Sequence, residues 1–343
     1  MKSLFTTTAL GALALAALAV GIVTQNASAD QPIVGLVTQT PDNPFWGKVL
    51  AGATSEAAKD GVTLRNVVGQ DNDGQVTGVE NLVSAGAKVI LIAPADSTAI
   101  VPAVKAARDA GVLVISIDHP TAPPSAADAT VATDNFEAGT LIGQWALKTL
   151  GDKASSAKIA MLDNDETQNS VDVARDHGFL KGFGISFSDP NRNGSENDPR
   201  IVGHATTQSG TIEGGRTAME NLLQKDSGVN VVYTINEQAA AGAYEALKAA
   251  GKTDGVLLVS VDGSCNGVKN VKAGVIGATA MQFPIKIASI SVDAAADFIK
   301  TGNKPQPSPG LDFVNTGVRL ITDKPAAGID SDSSDQGLNE CWG

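Results

Sequence analysis

KVILIAPADSTAIVPAVKAARDAGVLVISIDHP, residues 88–120, holds the pattern that decides the fold. Two Val/Ile/Leu-rich runs, 88–93 and 112–117, apolar but for Lys88 and Ser116, flank an Ala-rich amphipathic segment at 98–110 that stops at Gly111. Runs apolar at nearly every position belong to strands covered on both faces. A helix between two such strands is the crossover of a parallel sheet, and a glycine just past it suits the left-handed residue that ends a helix.

Outward from this unit the alternation continues. IVGLVT (33–38) and VTLRNV (62–67) read as strands, and 45–59 and 75–85 as helices followed by Gly61 and Gly86. Downstream, a second series has strands KIAMLD (158–163), RIVGHAT (200–206), VNVVYTI (229–235), GVLLVSVD (255–262) and GVIGATA (274–280). Its helices fall near 169–181, 211–224 and 237–250. The chain of 343 residues thus divides into two α/β halves of like architecture. NKPQPSPG (303–310) reads as a crossover linker, and the Asp/Ser-rich tail from Gly328 as an exposed segment.

Lys and Arg number 25 against 37 Asp and Glu, a net charge of −12, and 43% of residues are hydrophobic. That is the composition of a folded protein. With no Lys/Arg cluster, the chain lacks the positive surface that a nucleic-acid backbone or an anionic membrane demands, so neither is an expected partner.

Lys2, the apolar run from Ala9 to Val23 and the triplet Ala27-Ser28-Ala29 read as a cleavable signal peptide over 1–29. The apolar run is shorter than the roughly 20 residues that cross a bilayer. No cysteine follows it to carry a lipid, so the expectation is a soluble periplasmic product. Cys265 and Cys341 are the only cysteines. An oxidising compartment favours a bond between them, with two unrelated buried thiols as the alternative.

In open parallel sheets, ligands bind beyond the carboxyl ends of the strands. The residues there are Gln39 to Trp46, Ala93 to Asp96, Asp118 and His119, Asp163 to Gln168, Asn236 and Glu237, Asp262 and Gly263, and Gln282. Carboxylates and amides hydrogen-bond vicinal hydroxyls, and an aromatic face stacks on the C–H face of a sugar ring. This chemistry suits a neutral polyol.

TPDNPFWG (40–47), ISIDHP (115–120), TDNFEAG (133–139), INEQAAAGAYEALKAAG (235–251), SVDG (260–263) and TAMQFP (279–284) resemble the strand-end motifs of periplasmic sugar-binding proteins of the ribose-binding type. The resemblance spans essentially the whole mature chain. It is strongest toward the fructose-binding component of bacterial ABC importers, through 198–226, 262–279 and the terminal CWG (341–343). It implies the type I periplasmic binding protein fold, two doubly wound parallel-sheet lobes joined by a three-segment hinge and closing on one sugar. The lobes are expected at 30–133 with 283–307, and at 134–282 with 308–343. The partners it implies are a monosaccharide, a membrane ABC permease and, for a sensory role, a chemoreceptor, with the protein a monomer and without a cofactor.

Carried onto this chain, the resemblance gives Asn43 as a hydrogen-bonding residue, with Phe45 and Trp46 sandwiching the sugar. Asp118 accepts hydroxyl hydrogens from one lobe. Arg175 bridges ring and anomeric oxygens from the other, with Asn236, Asp262 and Gln282 completing the shell. Three positions depart from the ribose binders: His119 stands for Arg, Ala93 for Asn and Gln39 for a small hydroxyl residue. These departures imply room for a hexose, fructose above ribose or mannose.

Each assignment has a plainer alternative. Asn43 and Asn236 are also good helix N-caps, Phe45 and Trp46 could be core, and Arg175 could pair on the surface with Asp172 or Asp176. Gln282 could be an exposed loop amide. A glycoside hydrolase would need Asp118 and Asp262 as its carboxylate pair. The sequence carries no GxSxG, no GxxxxGK[ST] and no GxGxxG after the first strand. His119, His177 and His204 lack zinc-motif spacing, and the acidic stretches 71–74 and 330–335 lack that of a calcium loop, so no metal is expected.

Overall fold

Val89 to Ile92 and Leu113 to Ile117 are buried throughout and pair in parallel, Val89 opposite Leu113 and Ile92 opposite Ser116. The computed structural model describes residues 31–40 and 43–343, and the expected signal peptide, 1–29, lies outside the described residues. Around that pair the first lobe assembles β1 (Ile33–Thr38), β2 (Thr63–Val68), β3 (Val89–Ile92), β4 (Leu113–Ile117) and β5 (Ala129–Ala132). Three helices join them: α1 (Pro44–Asp60), α2 (Asn72–Ser84) and α3 (Val101–Asp109). Successive strand residues part to opposite faces. Leu91 and Ile115 pack under α1, whereas Ile90, Ile92 and Val114 pack under α2 and α3.

The second lobe repeats the plan with β6 (Ile159–Asp163), β7 (Ile201–Thr206), β8 (Val231–Thr234), β9 (Leu257–Asp262) and β10 (Ala278–Met281). Its helices are α4 (Asn135–Leu150), α5 (Ser170–Gly182), α6 (Ile212–Lys225), α7 (Glu237–Ala249) and α8 (Cys265–Lys272). The remaining elements are α9 (Pro284–Thr301), β11 (Val314–Asn315), β12 (Arg319–Ile321) and α10 (Ser334–Glu340). The two six-stranded sheets run β11-β5-β4-β3-β1-β2 and β12-β10-β9-β8-β6-β7, so the strands match one for one between lobes. This is the type I two-lobe architecture. No helix of the described residues is long and apolar enough to cross a membrane.

The chain passes between the sheets after β5, after β10 and between β11 and β12. The sequence reading had made the Pro-rich stretch 303–310 a crossover and begun the second lobe's last segment at 308. The structure keeps both on the first lobe. α9 buries Ile287, Val292 and Ala295 in the first core, Lys304 pairs with Asp128 at 2.7 Å, and Val314 and Asn315 extend β5 in parallel. The crossing is therefore made by Thr316 to Val318, where Gly317 takes φ 90°.

α4 and α5 cross with their backbones nearly touching. Each offers two glycines one turn apart, Gly139 and Gly143 against Gly178 and Gly182. A Cβ on Gly178 would stand 2.2 Å from the Phe136 carbonyl oxygen, and one on Gly139 2.1 Å from that of Arg175. Only hydrogen fits there, and the contact fixes the depth at which α5 sits.

The C-terminal tail is stapled as expected, Cys265 and Cys341 being disulfide-bonded with Cα atoms 4.9 Å apart. The segment expected to be exposed instead forms α10, with Ser334 and Gly337 buried. Beyond it Trp342 is buried, 5% exposed.

Candidate functional site

The carboxyl ends of both sheets face one another across a cavity of about 360 Å³, at the lower end of the range for ligand clefts. All ten residues singled out from the sequence line it: Gln39, Asn43, Phe45, Trp46, Asp118, His119, Arg175, Asn236, Asp262 and Gln282.

Asp118 follows β4 and Asp262 ends β9, the matching strands of the two sheets. Both have positive φ, 61° and 146°, a strained conformation for a residue with a Cβ, and such strain gathers at functional sites. Asp118 is 3% exposed; its Oδ1 has no hydrogen-bond partner, and its Oδ2 stands 2.9 Å from His119 Nδ1. That pair lies at ion-pair distance without hydrogen-bond geometry, leaving His119 Nδ1 also unpartnered.

Arg175 is buried, so the surface-pair alternative fails. Its Nε donates to Asn135 Oδ1 at 2.8 Å and its Nη1 to the Ile235 carbonyl at 3.0 Å, with Asp262 Oδ1 3.8 Å away. Gln282 is equally committed: its Nε2 donates to Asp262 Oδ1 at 2.8 Å, and its Oε1 accepts from Thr133 across the hinge at 3.3 Å. Asn43 and Asn236 do cap α1 and α7, accepting from Phe45 N and Ala239 N. Capping uses the oxygen of each amide and not its NH2, and both residues still line the cleft.

Behind Asp262 lies Glu237, whose carboxylate accepts from Gly263 N, Ser264 N, Ser264 Oγ and Thr279 Oγ1. Burial and the Asp262 charge push Glu237 up to about 8 against those bonds. Burial likewise raises Asp262 to about 6, with Arg175 pulling the other way.

Phe45 and Trp46 meet edge to face, centroids 4.9 Å apart at 90°. Rings in contact leave no slot for a sugar between them, so the expected sandwich is replaced by a single aromatic wall. Val171 and Ile235 are apolar residues facing it from the second lobe. Ala93 is fully buried in the first core and does not line the cavity, so it adds no room there.

Residues missed in the sequence include Gln70, Asp71 and Asn72 after β2, Ser209 after β7, and Asn169, which caps α5. Carrying the strand-end rule to β2 and β7 finds all but Asn169. Asn135 lies in the quoted 133–139 motif just after β5 and Trp342 in the terminal CWG, but neither was given a role there.

The chain matches the family described as periplasmic binding protein domain over residues 34–304. It is 32% identical to the ribose import binding protein of Bacillus subtilis over 276 residues, 80% of this chain and 83% of the relative. It is 30% identical to the galactofuranose-binding protein of Escherichia coli, covering 74% and 78%. Among solved structures, the Caulobacter myo-inositol binding protein bound to myo-inositol superposes with TM-score 0.73 at 27% identity, over 85% of this chain and 93% of that one. The chain belongs to the periplasmic binding protein family. As its relatives are, it is a binding protein and not an enzyme.

Proposed function

We propose that this chain is the soluble periplasmic component of an ABC sugar importer and that it binds a neutral monosaccharide, fructose first, between its two lobes. One observation carries the reading: the cleft joins Asp71, Asp96, Asp118, Asp165 and Asp262 to a single guanidinium, Arg175, beside one aromatic wall. Such a cleft accepts hydroxyl hydrogens and repels phosphorylated or acidic sugars. Arg175 supports the reading as a charged donor to ring or anomeric oxygen, beside the amides of Asn43 and Asn236.

Relatives named for ribose, D-apiose and galactofuranose support a monosaccharide. Fructose rests on the sequence resemblance, with His119 and Gln39 as the cleft positions that differ from ribose binders. Ribose or mannose, with the loaded form also engaging a chemoreceptor, is the second reading, favoured by the ribose-named relatives. The protein then acts as a monomer handing its sugar to a membrane permease.

A thermal-shift screen of the mature protein against neutral monosaccharides tests this. Ligand at 100 times Kd adds about 2.7 kcal/mol. A rise with fructose alone supports the first reading, and a rise with another sugar moves the specificity. No rise with any of them removes the sugar assignment.

A further inference from the structure

The helix that carries Arg175 into the cleft also carries Asp172 and Asp176 into the body of the second lobe. There they meet Asp163 at the end of β6 and His204 on β7. His204 Nδ1 lies 2.7 Å from Asp163 Oδ2 and 3.7 Å from Asp176 Oδ2, and its Nε2 lies 2.8 Å from Glu196 Oε1. One atom each from Asp163, Asp176 and His204 gather within 4.8 Å of one another.

Asp172 is spent, accepting from Asn164 N at 2.9 Å and from Asn193 Nδ2 at 3.2 Å. The others are not. Asp163 Oδ1, both oxygens of Asp176, Asn193 Oδ1, Glu196 Oε2 and the Tyr233 hydroxyl are buried with no hydrogen-bond partner. They make up six of the twelve such atoms among the described residues; three more, Asn72 Oδ1, Asp118 Oδ1 and His119 Nδ1, belong to residues that line the cleft. Native proteins leave few buried polar groups unpaired, so a concentration of them marks a place where something binds. Asp176 and Tyr233 are fully buried and Asn193 is 4% exposed.

We propose that Asp163, Asp176 and His204 form a buried site for a divalent metal ion of the zinc class. Ligands around tetrahedral zinc stand about 3.3 Å apart, given metal–ligand bonds near 2.0 Å. The observed 2.7 and 3.7 Å bracket that spacing. Glu196 on Nε2 holds the imidazole so that Nδ1 faces the two aspartates, the carboxylate–histidine–metal arrangement that orients a ligating ring. Water supplies the fourth position, and the His204 side chain, 19% exposed, leaves a way in. Spacing in sequence gave no hint, because the ligands come from β6, α5 and β7. The rival occupant is a proton on Nδ1 shared with Asp163.

Zinc chloride titrated calorimetrically into chelator-treated protein free of added histidines distinguishes the two, and no sugar is needed. One ion per chain is expected, with heats that depend on buffer ionisation because Nδ1 gives up its proton. Affinity should fall by about tenfold or more in Asp176→Asn and in Glu196→Gln, both first shown to melt cooperatively. No uptake of zinc, or equal affinity in the wild type and both variants, overturns the site and assigns the gap to the proton.

Discussion

The Trp342 indole donates to the Asp262 carbonyl at 3.0 Å while its ring meets Phe45 edge-on, with centroids 5.5 Å apart. Trp342 is thus fastened to the second lobe, where Cys265 N also donates to its carbonyl at 2.8 Å, yet packs in the core of the first. A single residue, Trp342, buttresses both walls of the cleft. Trp342→Ala should cost about 3 kcal/mol or more of stability, as for other buried aromatics. It should also weaken sugar binding, whereas Trp342→Phe keeps the packing and loses about 1 kcal/mol with the hydrogen bond. Melting curves and sugar titrations, repeated with the disulfide reduced, check the order wild type, Phe, Ala.

Gly178→Ala drives a methyl group to 2.2 Å from a backbone carbonyl, and neither helix can yield without moving the other. Overpacking of this kind costs about 3 kcal/mol. Because α5 must shift, Arg175 leaves its register with Asn135, and sugar affinity falls together with the melting temperature. An alanine at Gly47, which meets nothing within 4 Å, is the matched control.

Stability should decline as pH rises through the neutral range. Glu237 moves from 4.5 to about 8 and Asp262 from 3.8 to about 6 on folding. The folded protein therefore holds protons that the unfolded chain has released, and stability falls with rising pH wherever the native state binds more protons. The slope from this pair begins near pH 4 and ends near pH 8. Melting temperatures measured across that interval should fall, and Glu237→Gln should flatten the curve.

Arg175→Ala leaves the Ile235 carbonyl, Asn135 Oδ1 and Asp262 without their cation. Breaking a buried pair costs about 3 kcal/mol, and the cleft loses its only guanidinium. Sugar affinity should drop by about a hundredfold or more, since each tenfold is about 1.4 kcal/mol. Calorimetry on the folded variant measures it.

Strands β1 to β4 and β6 to β10 were legible because Val/Ile/Leu-rich runs have few other uses, whereas the short β5, β11 and β12 were not. Helices ending in glycine were legible too. α4, α8 and α9 were not: α4 spends two positions of its apolar face on glycines that serve α5, and α8 is only 8 residues long. The cleft residues could be read because they follow strands directly. What sequence could not supply was long-range partnership, such as Asn135 holding Arg175 across 40 positions or Trp342 reaching Phe45. The aromatic pair shows the limit most plainly, since adjacency in sequence was readable and the perpendicular contact that closes the slot was not.

The first sheet is completed by Val314 and Asn315, and one face of its core by α9, although the sheet starts at Ile33. Neither lobe is therefore a finished object while the chain is being made. A nascent polypeptide some three hundred residues long still lacks the edge strand of the lobe it began with, so that lobe cannot close until the strands of the other have been made. The same topology that lets two lobes hinge keeps the growing chain from locking into a compact form too early.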